Sequence, residues 1–459
     1  MMRFIIFYIL LTLFNTISAK EIFTKEHISQ YMKLDNPYVY SVVGQKFVYK
    51  QKENYQQGNF DTQLVFKYDK KDYPATEGEY ISTGVEKPIE NGMELSLAYR
   101  KSEGTQEYNN IKTGDEGEMI AGVKIPVFAL ANDTNKRKLD LTTARLESSK
   151  VDYKAQDNIR LLYFEILREY YKVLYYKANT NLIKELLNKT LKRDKIIKKR
   201  VDAGSLADIV LLESKQQIIN RQQQLVSAEN DYDVVLENLL KYLNVDKNSF
   251  LDEYEIPSII DVKDSYEEST ATVDDALQNR PDLKVYDFEK QRLAQKEKYN
   301  SILQYPDFNV GVYGVHDLEY EDDGFKVTLD MKFPIERRKY KSKNLELRNN
   351  IKHVDKQLNK RVIDIKTNLK NINRSIETLL ENIENSSVEV DLLQKLEDAE
   401  NKKYDIGLSN LFMLNQREMY TLQVKKKFLK YNFDYLILQE RRNRVVGKYS
   451  NESFDIDFQ

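Results

Sequence analysis

The chain has no cysteine among its 459 residues. That absence removes a disulfide framework, a thiolate metal site and an acylated N-terminal cysteine together. Only three histidines occur, His27, His316 and His353, in unrelated segments. No H-E-x-x-H, G-x-S-x-G, P-loop or dinucleotide G-x-G-x-x-G motif is present, so the residues propose no catalytic, cofactor or metal site. Glycine and proline are scarce, 15 and 8 residues. With 31% of residues charged, the composition describes long solvated helices rather than a loop-rich globule. The charges nearly cancel, 71 basic against 73 acidic for a net −2, and leave no field of one sign to gather nucleic acid. The lysine-rich run from Lys192 to Arg200 is interrupted by Asp194 and reads as a solvated helix face.

Long hydrophobic runs are confined to the first residues. Arg3 precedes an apolar stretch from Phe4 to Phe14, and Ile17-Ser18-Ala19 precedes the charged Lys20-Glu21. A charged start, an apolar core too short to span and a small residue at the cut site predict a secretory signal peptide over 1–19. Beyond Ala19 no apolar window of roughly 18 residues recurs. If the mature chain crosses a membrane, it must do so as a closed barrel.

What is present is said twice. From Asn36-Pro37, and again from Arg280-Pro281, the order is a helix, strands, a long helix, a glycine turn and a second long helix. The strand ends at Pro126 and Pro334 stand 208 residues apart, and Gly204 and Gly407 stand 203 apart. An internal duplication held in register across a long helix implies that each half buries against its copy. The first repeat is expected over 20–245, with strands about 58–128 and a helical hairpin about 136–245. A connector over 246–272 follows, then the second repeat over 273–446, with strands about 307–334 and a hairpin about 336–446, and a tail over 447–459.

The strand segments alternate as half-buried sheets do. Phe308, Val310 and Val312 face one way and Asn309, Gly311 and Tyr313 the other. Val327, Leu329 and Met331 stand opposite Lys326, Thr328 and Asp330. The acidic segment Glu319 to Asp323 matches no EF-hand spacing and reads as a hairpin tip. In the first half Phe60 to Tyr68, Tyr80 to Lys87, Met93 to Arg100 and Met119 to Phe128 are strand candidates, with Asn91-Gly92 as a turn. Pro37 to Pro126 covers 89 residues where Pro281 to Pro334 covers 53; the excess either lengthens barrel strands or builds an outer loop.

The long segments carry heptads. Leu225, Ala228, Tyr232, Val235, Leu239 and Tyr242 step by three and four, as do Val424, Phe428, Tyr431, Tyr435 and Leu438, and Ile372, Ile376, Leu379 and Ile383. Each rising helix would span on the order of 100 Å if unbroken. Hairpins of that length must lie side by side, and a narrow apolar seam asks for more neighbours than one chain supplies. Tyr163, Tyr170, Tyr171, Tyr175 and Tyr176 crowd one helix and read as helix contacts rather than a ligand stack.

Four strands per chain cannot hide their own edges, so other copies must complete the wall. A homotrimer would give about twelve strands, enough to leave a lumen. The expected fold is therefore an α+β membrane protein: a trimeric 12-stranded β-barrel, four strands per chain, continuing into a long α-helical coiled-coil barrel with an internal two-fold repeat. A secreted coiled-coil scaffold or adhesin would use the same heptads but has no need of paired alternating strands.

The residues also resemble a known family. Ala276-Leu277-Gln278-Asn279-Arg280-Pro281-Asp282-Leu283 is similar to the A-L-x-x-R-P-D-L entry of TolC-like outer-membrane efflux proteins. Tyr305-Pro306-Asp307-Phe308 resembles that family's second strand pair, and Gly122 to Phe128 the strand that enters its first long helix. The segments around Gly204 and Gly407 are similar to its periplasmic turns. The resemblance runs from about residue 30 to 446. It implies an outer-membrane channel that reaches into the periplasm in contact with outer-membrane lipid. It also implies docking to a periplasmic adaptor (membrane fusion) protein and an inner-membrane RND or ABC pump, as in tripartite efflux or type I secretion.

The same resemblance makes the helix turns the openable end, with candidate tip residues Gly204, Asp208, Glu213, Tyr404, Gly407 and Ser409. Tyr404 matches the family's latch tyrosine, whereas Ser409 stands where an arginine would. Met413 and Gln416 replace the two aperture carboxylates. Any charge ring would rest on Asp208 or Glu213, which fit equally as solvated carboxylates at a helix start.

Overall fold

The computed structural model describes residues 20–74, 76–104, 111–267 and 272–449. The expected signal peptide and the tail from residue 450 onward lie outside the described residues. Chain contacts divide into two compact units, one of residues 1–42, 158–279 and 364–459, the other of residues 43–157 and 280–363.

The second unit is built on one antiparallel sheet. Its strands are β1 (Gln63–Tyr73), β2 (Thr76–Pro88), β3 (Glu94–Gly104), β4 (Glu118–Pro126), β5 (Asp307–Asp317) and β6 (Asp323–Lys332). They lie side by side in chain order, each hydrogen-bonded to the next. Six strands stand where four per chain were expected. The halves differ mainly because the first half inserts a whole extra hairpin in the sheet, which the expectation of longer strands or an outer loop did not include. The turn between β2 and β3 closes at Gly92, with φ +96°, where the Glu90 carbonyl accepts from Asn135 Nδ2 at 2.8 Å.

Alternation survives across all six strands. One face carries Leu64 and Phe66 of β1, Val85 of β2, Leu97 of β3, and Val327, Leu329 and Met331 of β6, all exposed. Leu64 is 80% exposed and Phe325 84%, and an exposed apolar face of this extent marks an interaction or membrane surface. The opposite face carries Lys67, Ser82, Lys124, Thr328 and Asp330, with Arg100 and Glu118 paired across β3 and β4. Polar residues on one face and apolar ones on the other, over strands of nine to thirteen residues, fit a membrane-spanning barrel wall.

Around the sheet the same unit is tied by ions. The Arg280-Pro281-Asp282 motif starts the helix α3 (Pro281–Ile302), with proline in its first turn where the missing N–H costs nothing. Asp282 accepts from Arg280 Nε at 2.9 Å and from Arg361 Nε at 2.8 Å. Glu289 accepts from Lys150 Nζ at 2.9 Å and Arg292 Nε at 3.1 Å. Burial raises the Glu289 carboxyl, but the two cations outweigh it and bring it down to about 2. A carboxyl depressed by folding contributes its stability fully above about pH 4.5 and loses it as pH falls toward 2. Wild type is therefore expected to lose more of its unfolding midpoint between about pH 5 and 2 than E289Q does, as read by denaturant titration in detergent at several pH values.

The first unit is helical. Four long helices are α1 (Lys136–Asp202), α2 (Asp208–Leu243), α4 (Arg338–Asp405) and α5 (Leu411–Val445), of 67, 36, 68 and 35 residues. The two hairpins match closely in length, 67 against 68 residues and 36 against 35. Residues 158–202 of α1 and 364–405 of α4 belong to this unit. Tyr163, Tyr170 and Tyr171 are buried, with Tyr170 donating to the Phe23 carbonyl at 3.2 Å and Tyr171 to Glu440 Oε1 at 2.9 Å. Ile372, Ile376, Leu379 and Ile383 are buried as the heptads require. On α5 the deepest row is Leu422, Leu429, Leu436 and Asn443, one position off the expected seam, which stays mostly half-buried. The connector holds a short parallel bridge, Glu21–Ile22 with Tyr254–Glu255.

Candidate functional site at the helix tips

Two long helices end the same way. After α1, Gly204 takes φ +72°, its N–H donates to the Val201 carbonyl at 2.8 Å, and Ser205 N–H donates to the Arg200 carbonyl at 2.8 Å. After α4, Gly407 takes φ +80°, its N–H donates to the Tyr404 carbonyl at 3.2 Å, and Leu408 N–H to the Lys403 carbonyl at 2.8 Å. This pair of bonds closes a helix with a left-handed residue, a conformation that glycine takes without steric cost. The returning helix α5 is capped by the Asn410 side chain, which accepts from Met413 N at 2.9 Å.

A small apolar core joins the four helix ends. Tyr404, Ile197, Leu411 and Leu414 are buried together, with Val201, Leu206, Val210 and Leu211 packed against them. Tyr404 is thus held as a core ring; its hydroxyl is buried without a hydrogen-bond partner among the described residues, and burial raises its pKa. Ser409 Oγ donates to Glu400. Arg200 Nη2 donates to the Asp405 carbonyl at 3.3 Å, which links the first tip to the second. Asp208 and Glu213 are exposed on α2, and Asp208 lies in its first turn, where the helix dipole favours a carboxylate.

Arg193 departs from the solvated face expected of Lys192 to Arg200: its side chain is 12% exposed because it joins Arg221 and Glu418, for which no role was expected, in a buried ionic group behind the tips. Glu418 of α5 is 2% exposed and Arg221 of α2 is 1% exposed. Arg221 Nη2 donates to Glu418 Oε2 at 2.8 Å, Arg193 of α1 donates to both Glu418 oxygens, and Asn415 accepts weakly from each arginine. Two guanidiniums share one carboxylate, and Arg221 Nε and Nη1 are buried with no partner among the described residues. Burial pulls the Arg221 guanidinium down from its ordinary value, and Glu418 opposes that pull. Ser214, Arg221 and Ala228 are buried at seven-residue steps, and Glu418 sits between Leu414 and Leu422 on the buried row, so the charges occupy heptad positions that a search for apolar residues skips.

The fold that carries these tips is similar to solved structures. The CmeC outer membrane channel of Campylobacter jejuni superposes with a TM-score of 0.70 at 10% identity, over 94% of this chain and 89% of that one. The outer membrane protein VceC of Vibrio cholerae gives 0.68 at 11%, over 92% and 96%. The chain has the fold of an outer-membrane channel. The MtrE outer membrane channel of Neisseria gonorrhoeae, solved in its open state, gives 0.67 at 9%, over 93% and 89%. No family model and no curated protein matches the sequence. The likeness therefore lives in the architecture, and it agrees with the fold that the resemblance around Arg280-Pro281-Asp282 implied. Among the described residues no helix is long and apolar enough to cross a membrane.

Proposed function

We propose that this protein is a passive export channel of the outer membrane that catalyses no reaction. The observation that carries the reading is the six-stranded sheet with an exposed apolar face and a polar opposite face. A coiled-coil scaffold has no use for such a face, and a sheet with two open edges is stable in lipid only when other copies close it. The helices ask for neighbours as well: Leu212, Ile219 and Val226 repeat every seven residues on α2 and are all exposed.

In this reading three copies surround one duct, with the helix tips at its periplasmic end and the polar sheet face lining its outer part. Cargo reaches it through a periplasmic adaptor protein and an inner-membrane pump of the RND or ABC kind, which supply the energy. In this reading Asp208 and Glu213, both exposed, would face a tip aperture, with Tyr404 and the Arg193, Arg221 and Glu418 group holding the ends behind it. Fractionated cells and a native mass in detergent test this reading. It expects outer-membrane protein that needs surfactant and runs as three copies, and a surfactant-free single copy refutes it.

A further inference from the structure

The sheet stops at two unpaired edges, β1 and β6. We propose that β6 of one copy pairs with β1 of the next, so that the assembled wall has eighteen strands rather than twelve. The inference rests on the trimeric channel reading and sharpens it to a lumen width and a contact surface.

Strand direction permits the joint. Six antiparallel strands place β1 and β6 in opposite directions, so β6 meets a neighbouring β1 as one more antiparallel pair. The extra hairpin also belongs to the wall. Its Leu64, Phe66 and Tyr68 share the apolar face with Val85 and Leu97 through continuous pairing, and all are exposed. A hairpin standing in water outside the barrel would have no reason to keep that face apolar.

The registers then fix the closure. Directly across the strands, Leu64 lies level with Val85, Leu97, Ala121, Gly314 and finally Phe325. That line begins beside the helix end of β1 and finishes near the far end of β6, which is the stagger of tilted strands. Bringing the helix ends of β6 and a neighbouring β1 level pairs Lys332 with Gln63, and sets Phe325 beside Lys70. The pattern has then advanced six residues across six strands. With about 3.3 Å per residue and about 4.8 Å per strand the tilt is about 35°, within the range that closed barrels use.

Among the steps whose tilt a closed barrel allows, charge selects the same register. Only even steps keep the polar face on one side, because a slip of one residue exchanges the faces. A step of six sets Asp69 opposite Lys326 on the polar face, and pairs Leu64 with Met331, Phe66 with Leu329 and Tyr68 with Val327 on the apolar one. Steps of four, eight or ten each bring lysines together, Lys67 with Lys326, Lys71 with Lys326 or Lys67 with Lys332. The chosen step leaves one like pair, Asp72 with Asp323, at the water-facing rim. Eighteen strands enclose a ring about 35 Å across between backbones, against about 23 Å for twelve.

The absence of native cysteine makes the joint directly testable. The double variants V65C/D330C and F66C/L329C place thiols at adjacent cross-strand positions, of which one is a close, non-hydrogen-bonded pair. A98C/D330C reports the alternative in which β3 is the outer edge. Oxidation in intact outer membranes is expected to link one of the first two pairs into covalent trimers in more than half of the protein, and the third pair not at all. A trimer by native mass with neither joint linked, or with A98C/D330C linked, overturns the eighteen-strand wall while leaving the channel standing. Covalent species that stop at two copies also overturn it. A monomer sinks the channel reading itself. Should the paired variants assemble poorly, end-on electron-microscope projections of wild type decide the matter: a ring near 35 Å supports the proposal and one near 23 Å overturns it.

Discussion

Glu418→Ala is expected to destabilise the tip half of the helical unit by about 3–5 kcal/mol, the scale on which removing one partner strands a buried charge. The reason is the imbalance at that site. Arg193 and Arg221 share this single carboxylate, and Arg221 is almost wholly buried. With Glu418 gone, two guanidiniums face each other behind the tips with no anion between them, and the helices must part or admit water. Local opening is read by hydrogen exchange and by protease cutting near 203–207 and 406–410, both of which should accelerate by two orders of magnitude or more. The matched control replaces Arg193, Arg221 and Glu418 together by methionine, leucine and methionine. That swap should be neutral or stabilising, because desolvation then costs nothing. An alanine variant that exchanges and cuts like wild type would show that the group is not holding the tips.

The second large effect separates the two faces of the sheet at neighbouring positions. Leu329 is exposed on the apolar face and Thr328 stands on the other, its Cα opposite Gly311. An arginine at Leu329 faces lipid near the middle of β6 and is expected to cost about 2–4 kcal/mol of insertion. An arginine at Thr328 faces the lumen, where water solvates it. Refolding into vesicles followed by a heat-shift gel measures assembly for both. L329R should lose most of its assembled form, while T328R keeps it and moves ion preference toward anions. Equal loss in the two variants would mean that the faces are not divided between lipid and water.

Much of this architecture was legible because it is periodic. The long helices announced themselves through heptads and through Gly204 and Gly407, and the two rising helices, of 67 and 68 residues, end at those glycine turns. The strand count was not read correctly, although Phe60 to Tyr68 and Tyr80 to Lys87 were recognised as strands. The duplication carried the second half's single hairpin onto the first half, where a further hairpin had been inserted. Lys70, Lys71 and Asp72 also masked the end of β1: they pair with Glu79, Gly78 and Glu77 in the ladder but break the apolar alternation. At the tips the two glycine turns were readable from local chemistry alone. The Arg193, Arg221 and Glu418 group was not, because a seam searched for apolar residues passes over charges that meet only when three helices pack. Asn443, donating to Tyr266 Oη at 2.8 Å, escaped for the same reason.

The central claim is that copies of this chain enclose a water-filled path through a bilayer, and electrical recording on a planar membrane tests it most directly. Detergent-purified full-length protein added to one side should produce discrete, uniform current steps, with a cation preference that weakens in the double variant Asp208→Ala, Glu213→Ala. Protein that inserts yet carries no current above the bare membrane would contradict the account.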